Sequence, residues 1–314
     1  MLEAPQYVDI AVKQAVHRVQ APSMPFAWSL NPYRGCSHGC AFCYARSTHS
    51  FLGFAADDTF RKHVMVKAAI PEALERQLET KLRACGGNLE RLSTSFGTLA
   101  IGTATDPYQS IEAKREITRS CLEVLAKYQI WTTITTRSPL ILRDVDILKR
   151  MRLESVQLSI HTLDGDIWRA FEPATPAPKT RLATVRKLAE HKLPVGVFLA
   201  PILPYISDGE AQMHSVIEQA VAHGAHFVMP SILRLAPEVK PWFFDALRQT
   251  YPHLLEQYEK LYKTPYAPPW YRRQIIAKAT AMVRSLGANI EPLPSTQSVA
   301  RTCEPQSRQL TLPI

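Results

Sequence analysis

Three of the six cysteines, Cys36, Cys40 and Cys43, fall within eight residues, in the run Asn31-Pro32-Tyr33-Arg34-Gly35-Cys36-Ser37-His38-Gly39-Cys40-Ala41-Phe42-Cys43-Tyr44-Ala45-Arg46. The N-terminus lacks the charged and apolar blocks of a secretory signal, so the thiols are expected to stay reduced. A tight group of reduced cysteines points to a metal rather than a disulfide. Three thiolates are one short of a closed structural site, and an open metal position is what chemistry requires. The C-x3-C-x2-C spacing fits a [4Fe–4S] cubane with three irons held by Cys36, Cys40 and Cys43 and the fourth left free. Gly35 and Gly39 would let the backbone wrap a bulky cluster without a Cβ at the turns. The competing reading is a zinc site that takes His38 or His49 as its fourth ligand.

With Phe42 in the slot before the last cysteine, the motif resembles the radical S-adenosylmethionine (SAM) superfamily, whose signature is C-x3-C-x-aromatic-C. The resemblance implies that the methionine amino and carboxylate groups of SAM chelate the free iron. An electron from the cluster then cleaves the sulfonium C–S bond and leaves a 5′-deoxyadenosyl radical. It also implies an external one-electron donor, flavodoxin-like or ferredoxin-like. The protein's part is to position and shield these groups.

The 314 residues can bury roughly three quarters of the unfolded surface, enough for one large domain and a smaller appendage. No run reaches the roughly 18 apolar residues of a membrane span, since Pro201 interrupts the longest, 195–203. A cytoplasmic protein is therefore expected. The net charge of +9 favours a polyanionic partner, but the basic residues are dispersed rather than blocked, a pattern that also serves ordinary solubility.

Along the chain, residues 1–25 carry Pro5, Pro22 and Pro25 and read as an arm over the domain, with a strand at 7–12. Strands are expected at 26–30, 98–103, 131–135, 156–161, 195–200 and 227–231, and an extended piece at 61–67. Helices are expected at 71–83, 112–127, 140–151, 179–191 and 210–223, the last capped by Ser207 or Asp208. This alternation predicts parallel strands joined by right-handed crossovers. Six units fall short of the eight of a closed barrel, so the expected fold is α/β, a partial, open (β/α)6 barrel over 26–236. Residues 237–314 are expected to form a helical extension (238–262 and 270–286, with Gly287 as C-cap) and a proline-containing tail from Pro292.

Active groups in such sheets lie at the C-terminal strand ends. Thr105 and Asp106 follow the second barrel strand and could accept from the SAM ammonium, or form an ordinary turn. Arg137 follows the third and could pair with the SAM carboxylate, or stand as a surface arginine. Ser159, near the end of the fourth, could bond the ribose hydroxyls, while His161 on the same face reads as structural. Glu172 and Arg181 read as a structural ion pair, and Tyr108 either faces the substrate or packs beneath the cover. Cys121 reads as core and Cys85 as structural, with Cys303 a candidate thiol donor in the tail. Trp242, Phe243, Phe244, Trp270 and Tyr271 could stack bases, but their helical placement favours packing between the barrel and its extension.

Together NPYRGCSHGCAFCYAR, GTATDPYQSIE, TTRSPLILRD, QLSIHT, FEPATP and LAPILP resemble the spore-photoproduct-lyase-like group of radical SAM proteins, over roughly residues 26–232. By this resemblance Cys36, Cys40 and Cys43 are the cluster ligands, Phe42 lies beside them, and Thr105, Asp106, Arg137 and Ser159 fall where SAM is contacted. Tyr44 matches a tyrosine in the hydrogen-return path. Thr103 stands where that group carries its hydrogen-donor cysteine, and its O–H bond is too strong to serve. SAM radical chemistry is therefore expected and the group's thymine-dimer reaction is not. The resemblance and, weakly, the charge favour nucleic acid as substrate, with a peptide or small metabolite as the enzymatic alternative and a zinc-stabilised nucleic-acid-binding module as the non-enzymatic one.

Overall fold

The computed structural model describes residues 3–20 and 24–292. Among the described residues ten strands form in chain order: β1 (Gln6–Asp9), β2 (Val16–Arg18), β3 (Trp28–Leu30), β4 (Tyr33–Arg34), β5 (His63–Val66), β6 (Leu99–Ile101), β7 (Thr132–Thr136), β8 (Leu153–Ser159), β9 (Val195–Ile202) and β10 (Val228–Ile232). Seven make one sheet in the order β10-β9-β8-β7-β6-β3-β2. The six strands from β3 to β10 in that sheet are parallel, with Trp28 opposite Leu99, Leu99 opposite Thr132, Val156 opposite Val195 and Val228 opposite Val197. β2 adds an antiparallel edge to β3. The expected series of six parallel strands is present, and the sheet does not close into a barrel.

These strands are short runs rich in Val, Ile, Leu and Thr whose apolar residues are buried on both faces, as a parallel sheet under helices requires. At Gly196 a Cβ would come within 2.5 Å of Phe227 ring atoms, so the missing side chain is what lets the ring lie against β9.

Several helices differ from expectation for identifiable reasons. The helix expected over 112–127 breaks at Glu116, which has φ +49°, into Glu112–Arg115 and Ile117–Lys127. The buried Glu112 carboxylate accepts from Thr118 N (2.9 Å) and Arg119 N (3.2 Å), so from the first helix it satisfies open amides in the first turn of the second. The helix expected over 140–151 is a 3-10 segment, Pro139–Asp144, and one α-turn, Val145–Leu148. Here Asp144 is drawn into a buried pair with Arg119 (2.7 Å) and Arg143 (2.8 Å). The extended piece expected at 61–67 begins in the second half of the helix Thr59–Lys62 and becomes strand only at His63. Neither capping candidate caps the helix Glu210–Ala222, whose N-cap is Gly209. Ser207 Oγ instead accepts from Leu203 N (2.9 Å) and Asp208 accepts the Tyr271 hydroxyl. The helices Leu89–Phe96 and Gly165–Phe171 fall in stretches to which the sequence pattern assigns no element.

A second sheet, β1-β5-β4, brackets the cysteine loop, β4 immediately before it and β5 behind it. The C-terminal helices Lys240–Thr250, Leu255–Leu261 and Pro269–Ser285 share one hydrophobic core with the sheet. Phe243 stacks on Phe171 at 5.6 Å between ring centroids, and the helix Pro269–Ser285 packs against β10. The tail from 293, with Cys303, lies outside the described residues. Among the described residues no helix is long and apolar enough to cross a membrane.

Candidate active site

The cysteine loop leaves the C-terminal end of β3 and is held in shape by backbone geometry that only glycine tolerates. At Gly35 (φ +85°) a Cβ would lie 2.8 Å from the His63 carbonyl oxygen and 2.9 Å from that of Phe60. The next amide, Cys36 N, donates to the same Phe60 oxygen at 3.0 Å. At Gly39 (φ +65°) a Cβ would lie 2.5 Å from Arg61 Cδ. Arg46, fully buried, turns inward: its Nε donates to the Cys40 carbonyl (3.0 Å), its Nη2 to the Gly39 carbonyl (2.6 Å) and its Nη1 to that of Asp57. Its guanidinium also lies over the Trp242 ring at 4.9 Å. One buried cation thus satisfies the loop's carbonyls and leaves the thiols uninvolved in its scaffolding.

Cys36, Cys40 and Cys43 are free thiols, the first two buried and the third half-buried. Burial raises the pKa of Cys40 and Cys43, and each is raised further by the charge of Cys36. Burial would raise that of Cys36 too, but His38 beside it holds it below the ordinary value. Three reduced, mutually interacting thiols on one loop are the donor set of a site-differentiated iron–sulfur cluster. Among the described residues no group of three or more His, Cys, Asp or Glu side chains is arranged to hold a metal ion. A zinc site needs its ligands converged on one ion, whereas a cubane spreads three thiolates over three irons, so the donor set fits the cluster better. His49 does not turn toward the thiols: its Nε2 lies 3.1 Å from the His63 carbonyl and its ring meets Phe60 edge-on.

Beside the loop stands the segment after β6. Gly102 (φ +89°) starts it, and a Cβ there would collide with the Thr135 carbonyl and lie 2.9 Å from Pro107 Cδ. Thr105 Oγ1 donates to the Gly35 carbonyl at 2.6 Å and accepts from Gln109 Nε2 at 3.0 Å. Gln109 Oε1 in turn accepts from Ser37 N at 2.9 Å, so Thr105 and Gln109 together hold the cluster loop. Both oxygens of buried Asp106 are engaged within the chain. Oδ1 accepts from Thr136 Oγ1 (2.6 Å) and Tyr108 N (2.9 Å), and Oδ2 accepts from Arg137 N (2.7 Å) with His38 Nδ1 at 3.3 Å. Burial alone would raise its pKa, but His38 and these donors bring it to about 2. Burial likewise works against a charged His38, yet Asp106 and Cys36 push its pKa up to about 10. Thr103 accepts Asn31 Nδ2 on its hydroxyl (2.9 Å), and its carbonyl takes the Tyr44 hydroxyl.

The other wall is organised by Glu172, fully buried at the end of the helix Gly165–Phe171. Its Oε1 accepts from Arg137 Nε (2.8 Å) and its Oε2 from Arg181 Nη2 (2.5 Å). Cys40 Sγ lies 3.9 Å from Oε1 and His161 Nε2 3.8 Å from Oε2. Burial disfavours the charged carboxylate, yet Arg181, His161 and Arg137 hold its pKa far below the ordinary range. Arg181 also donates to the Ser159 carbonyl (2.9 Å), which fixes the end of β8. Phe42 lies between the walls, its ring edge-on to His161 at 5.2 Å and under the Arg137 guanidinium at 6.0 Å. His161 is buried with neither ring nitrogen hydrogen-bonded, and burial lowers its pKa to about 4.

The structure therefore brings Phe42, Tyr44, Thr105, Asp106 and Arg137 together around the three cysteines, with Ser159 at the adjoining strand end. Glu172 and Arg181 form the structural pair read from sequence, and Arg137 joins them rather than standing on the surface. Cys121 is core and Cys85 lies at the end of the helix Ile70–Ala84, with Sγ 3.8 Å from Ser95 Oγ. Tyr108 is buried. Phe243, Phe244 and Tyr271 pack between sheet and extension, while Trp270 is exposed. Sequence reasoning missed Arg46, Gln109 and the His38–Asp106 contact. Arg46 closes the quoted cysteine run, but nothing local marks it as turned inward.

Comparison with known proteins gives the following. The family model described as the radical SAM superfamily matches residues 30–215. An uncharacterized protein of Mycobacterium tuberculosis (strain H37Rv) is 31% identical over 298 residues, covering 92% of this chain and 84% of that protein. An uncharacterized protein of Methanocaldococcus jannaschii is 24% identical over 205 residues, 65% of this chain and 71% of that protein. Among solved structures, a variant of spore photoproduct lyase aligns with TM-score 0.67 at 15% identity, covering 90% of this chain and 79% of the other. A second variant, with bound AdoMet and dinucleoside spore photoproduct, aligns with TM-score 0.66 at 14% identity over the same shares. These two likenesses concern the fold.

Proposed function

The chain belongs to the radical SAM superfamily, and on that footing we propose that it is an enzyme that reductively cleaves SAM and abstracts a hydrogen atom from a nucleic-acid substrate. Its cofactors are those of the family, a [4Fe–4S] cluster and SAM. When bound, they supply a carbon-centred radical strong enough to take hydrogen from an unactivated C–H bond.

In this reading Cys36, Cys40 and Cys43 each hold one iron, and Arg46 keeps their loop in the geometry that presents the sulfurs. Phe42 covers one side of the site. Thr105, Arg137 and Ser159 line the space for SAM, with Arg137 offering its remaining donors to a carboxylate while Glu172 fixes its Nε. Asp106, both of whose oxygens are taken, acts by joining the ends of β6 and β7, which sets Thr105 against Arg137. Tyr44 stands at the rim with its hydroxyl on the Thr103 carbonyl and takes part in hydrogen return. The chemistry would call for an external one-electron donor, for which a flavodoxin-like or ferredoxin-like protein is the proposed partner.

The observation that carries the reading is the joint placement of three free thiols and Arg137 at one end of a parallel sheet. A solved neighbour holds a dinucleoside spore photoproduct, and the net charge of +9 suits a polyanion. Nucleic acid is therefore the class to test first, while Thr103 in the donor position argues for a reaction other than thymine-dimer repair. The test is anaerobic reconstitution with dithionite, SAM and deuterated oligonucleotides. Deuterium appearing in 5′-deoxyadenosine supports the proposal, and 5′-deoxyadenosine that stays unlabelled with every nucleic acid rejects the substrate class.

A further inference from the structure

Beyond the segment matched by the family model, at the same end of the sheet, lies a group of exposed and half-buried aromatic and cationic side chains that neither the core nor the site accounts for. Arg234 follows β10, and Tyr266 and Arg272 come from the C-terminal extension. The Tyr266 ring carries both guanidiniums, Arg234 at 5.4 Å and Arg272 at 5.2 Å from its centroid, and is itself 45% exposed. Arg234 and Tyr266 are tied further by an antiparallel backbone bridge. Among the described residues neither arginine has a carboxylate partner, and Arg272 Nε is buried with no acceptor. Two like charges held on one ring repel each other, and among the described residues no carboxylate pairs with either.

The aromatic surface continues from there. Trp270 is 59% exposed and meets Tyr271 edge-on at 5.5 Å, and Tyr271 meets Tyr205 at 6.0 Å. Tyr205, 46% exposed, sits in the loop after β9 in a left-handed conformation (φ +62°). A bulky residue there is strained, and although its ring meets buried Tyr258 edge-on at 6.2 Å, nearly half of the residue stays open to solvent (46%). Arg234 follows the C-terminal end of β10 and the cysteine loop follows that of β3, so the platform and the candidate active site lie at the same end of the parallel strands.

We infer that Arg234, Tyr266 and Arg272, with Trp270 and Tyr205, form a binding platform for single-stranded nucleic acid at the end of the sheet that carries the cysteine loop. This deepens the substrate reading above and rests on it. Unpaired guanidiniums suit phosphodiesters, and exposed rings suit bases released from a duplex stack, a face that double-stranded nucleic acid does not offer. An acidic peptide would satisfy the arginines and leave the rings unused.

The test is fluorescence anisotropy of the full-length, cluster-loaded protein with labelled single-stranded oligonucleotides, the matching duplex and a glutamate-rich peptide, across a salt series. Single strands are expected to bind at least tenfold more tightly than duplex or peptide. Trp270→Ala should weaken that binding about tenfold with no change in salt dependence. Arg234→Ala and Arg272→Ala should each weaken it and lower the slope of log affinity against log salt by about 0.7. Arg83→Ala, which removes an exposed charge elsewhere, should change neither. Equal binding of the peptide or duplex, or variants at Trp270, Arg234 and Arg272 that bind as the parent does, overturns the platform. Reductive SAM cleavage by the parent protein is measured separately without nucleic acid. Its failure would remove the enzymatic reading and leave the binding result standing.

Discussion

At the scale of the residue, buried charge decides most of what this site can be. Glu172 lies between Arg137 and Arg181 with no exposure, so each partner depends on it for neutralisation. Glu172→Gln leaves two guanidiniums around a neutral amide and should cost about 3–5 kcal/mol, read from the urea midpoint. A loss below about 1 kcal/mol would mean that water reaches the pair. His161 makes the opposite case: burial outweighs the nearby Glu172 charge, Arg181 and Arg137 add to it, and the imidazole stays neutral down to about pH 4. As pH falls from about 6.5 to 4, the unfolded chain takes up a proton that the folded chain refuses. Stability is thus full above 6.5 and declines by on the order of 3 kcal/mol across that window. His161→Phe should remove this decline and cost little at pH 7, because neither nitrogen has a partner to lose. A variant with the parent's acid profile contradicts this. These residues show the limit of reading the chain alone. The cysteine spacing announces a cluster because its ligands are local, whereas the partners of Glu172 come from separate elements and only the fold puts them together.

At the scale of the element, the six parallel strands were legible because each is a short run of β-branched and aliphatic residues set between helical periods. What stayed hidden was wherever a distant side chain overrides local periodicity. The Glu112 carboxylate reaches forward to the first amides of Ile117–Lys127, and its partners Arg143 and Tyr33 lie 31 residues on and 79 back, so the helix break at Glu116 has no local sign. The strand-end loops depend on glycine in the same non-local way. Gly102 admits the Thr135 carbonyl where a Cβ would stand, and the segment that follows carries Thr105 and Asp106. Gly102→Ala should cost about 1–3 kcal/mol through backbone strain, and more as Thr135 and Pro107 are displaced. Its thermal midpoint should fall and its SAM affinity, measured by equilibrium dialysis, should drop with it. An unchanged midpoint would show that the loop can be rebuilt without the left-handed turn.

At the scale of the whole molecule, one core runs through sheet and extension, and the site sits where strand ends, cysteine loop and helices meet. The open sheet has its β10 edge covered by the last helix and by a parallel bridge between Phe227 and Asn289. The account rests on a cluster borne by three thiols and able to reduce SAM. Its most direct test is 5′-deoxyadenosine formed by anaerobically reconstituted protein given dithionite and SAM, beside Cys40→Ala, with iron and sulfide measured on both. The parent should hold about four irons per chain and release 5′-deoxyadenosine, and the variant should fall to the protein-free background. A parent that binds neither iron nor sulfide, or a variant that cleaves SAM as the parent does, contradicts the account.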